Sequence, residues 1–225
     1  MEAANTPQKT RAKRSPERLR REILDAAREL FVAEGYQSVS LRKIACRIGY
    51  TPMSIYLHFR DKAEILDCIC EETFTGFRET ADRLDLSSLP PREALEAGLR
   101  NYVEFGLAHP HHYQLTFMTP LDDPQRLERR KQIGRDAFSR LRQKVAACLD
   151  ESRLPGVDVD AASQVIWAAV HGVTSLLIAR PDFPWVERER LIDAVLAVAV
   201  ESLGGCRSTE GTAADGAAPA ERAVP

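Results

Sequence analysis

Three histidines that stand close together, His109, His111 and His112, are the first candidates for chemistry, because clustered histidines can bind a metal. They flank a proline that begins a predicted helix, and they lack the matched cysteine or carboxylate spacing of a zinc site. The sequence also contains no Gly-rich phosphate loop, no His-Glu-x-x-His pair and no Gly-x-Ser-x-Gly turn. We therefore expect no catalytic residue, no metal and no cofactor. An enzyme that uses these histidines for acid–base or metal chemistry is the weakest alternative.

A second set of residues, between Ser40 and Phe59, has the types and spacing that bind duplex DNA. Ser40 and Thr51 each precede a helical pattern as N-cap residues, and Gly49 supplies the tight turn between the two helices. A helix-turn-helix presents its second helix to the major groove, while hydroxyls and helix N-termini bind phosphates. The pattern therefore predicts binding to double-stranded DNA.

The run SVSLRKIACRIGYTPMSIYLHFRDKAEIL resembles the DNA-binding signature of the TetR family of bacterial regulators, and the match spans roughly residues 23 to 66. This resemblance implies that the helix beginning near Thr51 reads the operator, that Lys62 contacts phosphate, and that the outcome is repression. The candidate DNA-binding residues are Ser40, Arg42, Lys43, Thr51, Pro52, Met53, Ser54, Tyr56, His58 and Lys62.

The predicted recognition helix has few side chains that can hydrogen-bond to bases. Pro52 and Met53 stand where members of the family often have small residues. Sequence preference therefore depends on apolar contact with thymine methyl groups or on DNA shape, and the residues leave both open.

Charge is divided unevenly along the chain. Residues 1–62 contain 13 Lys and Arg against 7 Asp and Glu, whereas the net charge of the whole chain is −2. This indicates a basic head that meets phosphates and an acidic body. The basic arm at residues 1–15 either enters the minor groove or only raises the local charge.

Apolar residues recur at helical spacing, and no run alternates as a strand does, so the sequence predicts an all-α fold. The predicted helices cover about 16–34, 40–49, 51–59, 61–83, 92–108, 110–118, 123–152, 159–180 and 186–203. We predict a disordered arm at 1–15, a three-helix helix-turn-helix domain at 16–62, a helical ligand-binding and dimerisation domain at 63–203, reached through a linking helix, and a disordered tail at 204–225.

Residues 109–118 and 167–177 resemble the C-terminal domain type of TetR-like proteins that is named for its Trp-x-x-x-His-Gly motif. The resemblance implies a helical cavity for a small apolar or amphipathic effector, and Gly172 would permit close helix approach. The candidate lining residues are Tyr102, Phe105, Tyr113, Phe117, Met118, Phe138, Trp167 and His171. An effector-independent regulator whose cavity is filled by its own side chains is the alternative.

Two apolar stripes near the end of the chain are too broad for one intramolecular partner, and they predict a homodimer with a four-helix interface. The interface candidates are Val165, Ala169, Val173, Leu177, Leu191, Val195 and Val198. The apolar runs are interrupted or too short to span a bilayer, and five scattered cysteines suit a reducing compartment. We therefore expect a cytoplasmic regulator with no membrane partner.

Overall fold

The computed structural model describes residues 15–119, 124–152 and 157–205, and within these ranges all regular structure is helical. The helices are α1 (Pro16–Glu34), α2 (Leu41–Ile48), α3 (Pro52–Tyr56), α4 (Lys62–Asp82), α5 (Pro91–Ala108), α6 (Pro110–Phe117), α7 (Pro124–Ser152), α8 (Val159–Ala179) and α9 (Arg188–Gly205), with a 3-10 turn at Tyr36–Ser38. The predicted all-α class is confirmed. Helix α9 includes Gly204 and Gly205, which the sequence assigned to the tail. The rest of that tail, the arm before Ser15 and the joint at Pro155 lie outside the described residues.

Side-chain caps define the beginnings of the first helices. The Asp61 carboxylate accepts a hydrogen bond from the Glu64 backbone N–H at 2.8 Å, and the Glu64 carboxylate accepts one from the Arg60 N–H at 2.8 Å. Gly49 ends α2 with φ 68°, in the left-handed region that favours glycine. These short-range interactions explain why helix boundaries could be predicted closely from the residues alone.

The interior is divided into two apolar cores. The first joins α1, α2 and α3 with the N-terminal half of α4, and it includes Ile65, Ile69, Cys70 and, from α6, Leu115. It therefore extends past residue 62, where the sequence placed the domain boundary. The second core joins α5, α7, α8 and α9, with α5 packed against all three others. Helix α4 leaves the first core and runs along α5 and α7, so it links the two halves of the molecule.

Candidate nucleic-acid interface and ligand cleft

Helix α3 lies at the surface with an apolar outer side. Ile55 and Phe59 are buried in the first core and fix the segment from inside. Met53, Tyr56 and Leu57 are 68%, 55% and 79% exposed. Such a group of large apolar side chains on one short helix indicates a surface that binds a partner. Among the predicted DNA-binding residues, the structure leaves exposed Ser40, Arg42, Lys43, Thr51, Pro52, Met53 and Tyr56, and half-buries Ser54, His58 and Lys62.

Hydroxyl caps orient the two helices of the motif. Ser40 Oγ accepts a hydrogen bond from the Lys43 backbone N–H at 3.3 Å, and Thr51 Oγ1 accepts one from the Ser54 N–H at 3.3 Å. The hydroxyls of Thr51 and Ser54 also bond to each other at 3.0 Å. Because these two hydroxyls already have partners, the outer side of α3 offers few side-chain groups for reading base edges.

Most of the cations on this domain are paired with acids. Lys43 forms an ion pair with Glu34, and Arg47 forms one with Glu29 at 3.0 Å. Arg42 is exposed and has no ion pair with the described residues. To bind DNA, a paired cation must exchange its carboxylate partner for a phosphate, whereas Arg42 has no such partner among the described residues to give up. The sequence could not show this difference, because these acids belong to α1 and approach only in the folded chain.

Lys62 ties the beginning of α4 to the turn after α1. Its Nζ donates to the carbonyl oxygens of Tyr36 at 2.9 Å and Gln37 at 3.1 Å, and lies 4.4 Å from the centroid of the Tyr36 ring. The ammonium therefore satisfies carbonyl groups of the 3-10 turn and makes a cation–π contact. This positioning role was missed from the sequence, since the partners are some 25 residues away, and phosphate contact by Lys62 stays a prediction.

Helix α6 connects the two halves through its side chains. Leu115 is buried in the first core, and Thr116 donates to Thr73 of α4 at 2.8 Å. His112 Nε2 lies 2.9 Å from an Arg28 guanidinium nitrogen of α1. On its other side, Tyr113 is fully buried against the C-terminal body. A displacement of α6 would therefore change side-chain contacts in both halves of the molecule.

A wide cleft of about 2010 Å³ opens between α4, α5, α7 and α8. Four of the predicted ligand residues line it, namely Tyr102, Phe117, Phe138 and Trp167. Phe105, Tyr113, Met118 and His171 are outside the lining. Phe105, Tyr113 and His171 instead stand against the rings of the lining residues, and Met118 is exposed at the end of α6.

A chain of hydrogen bonds leads from the cleft into the interior. Trp167 Nε1 donates to Tyr102 Oη at 3.4 Å, Tyr102 Oη lies 2.9 Å from Tyr113 Oη, and Tyr113 Oη lies 2.6 Å from His171 Nδ1. Burial raises the pKa of both tyrosines and lowers the pKa of His171, so all three are uncharged at pH 7. A neutral His171 can accept a hydrogen bond from the Tyr113 hydroxyl at Nδ1. The network therefore places hydrogen-bonding groups in the otherwise aromatic wall of the cleft.

Most residues that line the cleft were not predicted as ligand contacts, and three of them bear on its chemistry. Phe74 and Phe77 on α4 line the cleft, and the Phe77 ring stacks on Tyr102 with a centroid separation of 5.0 Å. Lys144 on α7 is half-buried there. The aromatic residues follow the helical period of α4 and could have been found as its second face. Lys144 carried no such signal, because an isolated lysine is typical of solvated surface.

The outer side of α8 and α9 keeps apolar residues exposed. Val165 and Val198 are 59% and 69% exposed, whereas Val173 is buried in the chain's own second core. Ala169, Leu177, Leu191 and Val195 are partly buried against that core. A Cβ at Gly172 would meet nothing within 4 Å, so the close helix approach expected there does not occur among the described residues. By length and composition α8 could cross a membrane, but it packs against α5, α7 and α9.

Within the described ranges, no three His, Cys, Asp or Glu side chains are grouped as a metal site would require. His109 and His112 have ring centroids 5.9 Å apart, and the other polar partners of His112 are Arg28 and Glu72. A guanidinium beside the imidazole opposes a bound cation, so this cluster fits an interdomain contact better than a metal centre.

Two family models match the chain. One is described as bacterial regulatory proteins of the tetR family and matches residues 23–69, and the other is described as a tetracyclin repressor-like C-terminal domain and matches residues 95–203. The Trp-x-x-x-His-Gly subtype that the sequence suggested is not the type named by the second model.

Curated relatives match the chain over stretches of different length. The HTH-type transcriptional repressor DrrR1 of Streptomyces coeruleorubidus is 28% identical over 106 residues, which is 47% of this chain and 38% of that protein. The regulator SrpR of Pseudomonas putida is 42% identical over 53 residues, 24% of this chain and 25% of that protein. The match thus spans well under half of these relatives. The repressor Rv1474c of Mycobacterium tuberculosis is 29% identical over 134 residues, 60% of this chain and 64% of that protein.

Solved structures share the fold over most of the chain. The fatty acid degradation regulator FadR from Bacillus halodurans has a TM-score of 0.71 at 18% identity, and the match covers 87% of this chain and 98% of that one. The TetR family regulator PfmR from Thermus thermophilus has a TM-score of 0.65 at 20% identity, covering 80% of this chain and 97% of that one.

Proposed function

Because this chain belongs to the TetR family of bacterial regulatory proteins, we propose that it is a cytoplasmic transcriptional repressor that binds operator DNA as a homodimer and leaves it when a small effector occupies the cleft. The observation that carries the proposal is the outer side of α3, where Met53, Tyr56 and Leu57 are exposed at the surface while Ile55 and Phe59 hold the helix in place. No catalytic step is required for this function.

DNA contact is divided between positioning and reading. Ser40, Thr51 and Arg42 lie at or near the helix N-termini of the motif, where backbone N–H groups, hydroxyls and a guanidinium that has no ion pair with the described residues bind phosphates. Met53 and Leu57 then reach the floor of the major groove, where the thymine C5-methyl group is the apolar feature that a side chain can contact. Half-sites that contain thymine at the contacted positions should therefore be preferred.

Dimerisation would cover the exposed side of α8 and α9. Val165, Gly172 and Val198 offer a surface without bulky polar groups, and Gly172 has space for a close approach by a second copy. A two-fold dimer sets its recognition helices into successive major grooves, about 34 Å apart along a near-palindromic site.

Effector release would act through α4 and α6. The N-terminal half of α4 carries Ile65 and Ile69 into the first core, and its C-terminal half carries Phe74 and Phe77 to the cleft. A ligand that separates Phe77 from the α5 and α6 aromatic residues shifts α4 and changes the distance between the two heads. Only a ligand with different affinity for the two spacings moves this equilibrium.

Selection of bound fragments from random duplex DNA, using the full chain with and without candidate effectors, tests the proposal. The expected result is a near-palindromic sequence whose recovery falls in the presence of an effector. Failure to enrich any duplex would contradict DNA binding. Enrichment that no ligand reduces, together with no ligand-induced rise in melting temperature, would favour the effector-independent regulator.

A further inference from the structure

The described lining of the cleft contains six cations and five acids, and only some of them are paired with each other or with neighbours. Lys131, Arg135 and Arg142 line it but have side-chain partners in Glu128, Gln132 and Asp160. Three other lining cations, Arg78, Arg140 and Lys144, have no ion pair or hydrogen bond to the described residues. Three lining acids, Asp82, Asp85 and Asp136, also have no ion pair with the described residues, but all three are exposed, and Asp85 and Asp136 accept hydrogen bonds from the neutral side chains of Ser87 and Gln132.

Lys144 is the most enclosed of these three cations. It is half-buried, and its aliphatic stem packs along α5, since Cδ and Cε lie 3.8 Å from the position of a Cβ at Gly98, an ordinary van der Waals distance. Burial lowers the pKa of Lys144, and the ammonium has lost hydration without gaining an anion. Arg140 is one helical turn away on the same side of α7, so a second cation is in reach.

The rest of the lining suits an apolar body. Phe77 and Tyr102 are stacked, with ring planes 4° apart, and Phe138 lies edge-on to Trp167 with a centroid separation of 6.1 Å. Flat rings and alkyl groups pack well against such walls.

We propose that the cleft selects an organic monoanion, with an aromatic or alkyl body against the α4 and α5 rings and its carboxylate or sulfonate on Lys144. This inference rests on the proposed effector function and specifies the ligand class. Charge pairing in a site that excludes part of the water is stronger than at an exposed surface, so the anion contributes affinity as well as orientation.

Two fluorescent probes that differ in one group test the inference on the full chain. 8-Anilinonaphthalene-1-sulfonate carries a sulfonate, and N-phenyl-1-naphthylamine is the same ring system without it. For Lys144→Met, which keeps the apolar stem, we expect the Kd of the sulfonate probe to rise about tenfold, the usual size of a charge-assisted hydrogen bond, while the neutral probe changes less than about twofold. Retained binding of the neutral probe also shows that the cleft of the variant is folded.

Two controls complete the design. Lys144→Arg should restore most of the affinity for the sulfonate. Arg92→Met removes one positive charge from an exposed position of α5 that does not line the cleft, and should leave both probes unchanged.

Different results would contradict the charge selectivity of the cleft and the effector cleft itself. Equal loss of both probes in Lys144→Met, or no loss of either, would overturn the charge selectivity and leave the effector cleft standing. If neither probe bound the wild-type chain, the effector cleft of the proposed function and this inference would both be wrong.

Discussion

Gly106 stands where three helices of the C-terminal body meet, and its replacement by alanine tests how tightly that junction is packed. A Cβ on Gly106 would lie 2.5 Å from Thr174 Cγ2 on α8 and 2.8 Å from Tyr113 Cδ2 on α6, far inside the ordinary contact distance of about 3.5 to 4.0 Å. Neither neighbour can move easily. Thr174 is fully buried and donates to the Val170 carbonyl at 2.7 Å, and Tyr113 is held through its hydroxyl by His171.

The expected change in stability combines one favourable contribution with two unfavourable ones. Alanine is favoured over glycine inside a helix by about 1 kcal/mol. Overpacking costs about 1 to 3 kcal/mol, and a Tyr113 hydroxyl displaced from its partners adds about 1 to 3 kcal/mol. We therefore expect Gly106→Ala to lower the free energy of unfolding by about 3 kcal/mol. Gly134→Ala on α7, where a Cβ would meet nothing within 4 Å, should raise it by up to about 1 kcal/mol.

Urea denaturation followed by tryptophan fluorescence is a suitable assay, because both tryptophans of the chain, Trp167 and Trp185, belong to the C-terminal region. All variants are compared at one protein concentration, since association would add to the apparent stability. The two glycine variants should move the midpoint in opposite directions. A Gly106→Ala protein as stable as the wild type would show that the junction is looser than the structure has it.

Three further predictions concern the buried histidines, the dimer interface and the recognition of bases. Burial lowers the pKa of His171 and of His109, so in mild acid the unfolded chain binds protons that the folded chain does not. The free energy of unfolding should therefore fall as pH drops from about 7 towards about 5.5. His171→Gln should make this fall with pH smaller without abolishing it, and an unchanged pH dependence would refute the assignment to His171. Val198→Glu, at a position 69% exposed in the single chain, should convert a dimer to a monomer in analytical ultracentrifugation without unfolding it, and a dimer that persists would place the interface elsewhere. Replacing a contacted thymine of the selected operator by deoxyuridine removes one methyl group and should weaken binding about fourfold, the value of one buried methyl. The Met53→Ala protein should bind the two duplexes equally well. Equal affinity of the wild type for both duplexes would argue against recognition of the thymine methyl group.

Local interactions explain what the sequence could predict. Ser40, Thr51 and Asp61 act within three residues of themselves, so their caps fixed the beginnings of three helices in advance. Gly49 required a left-handed turn for the same local reason. The all-α class and the helix-turn-helix were therefore accessible from spacing alone.

What could not be predicted depends on partners distant in the chain. The neutralisation of Lys43 and Arg47 by acids of α1, and the attachment of Lys62 to the turn at Tyr36, follow from the angle at which helices pack. The same holds for the cleft. Helical period marks Phe105 as an apolar residue, but only the packing of α4 against α5 determines that it faces Phe77 and Gly76 rather than open space.

The most direct test of DNA binding by α3 is the affinity of the full chain for its selected duplex, measured by fluorescence anisotropy across a salt series, for the wild type and for Leu57→Asp. Leu57 is 79% exposed, so the substitution should leave the fold intact while placing a carboxylate against the groove. We predict that log Kd for the wild type rises linearly with log salt and that Leu57→Asp loses at least about a hundredfold in affinity at an unchanged melting temperature. Wild-type binding that is indifferent to salt, or a Leu57→Asp protein that binds as tightly as the wild type, would contradict the account.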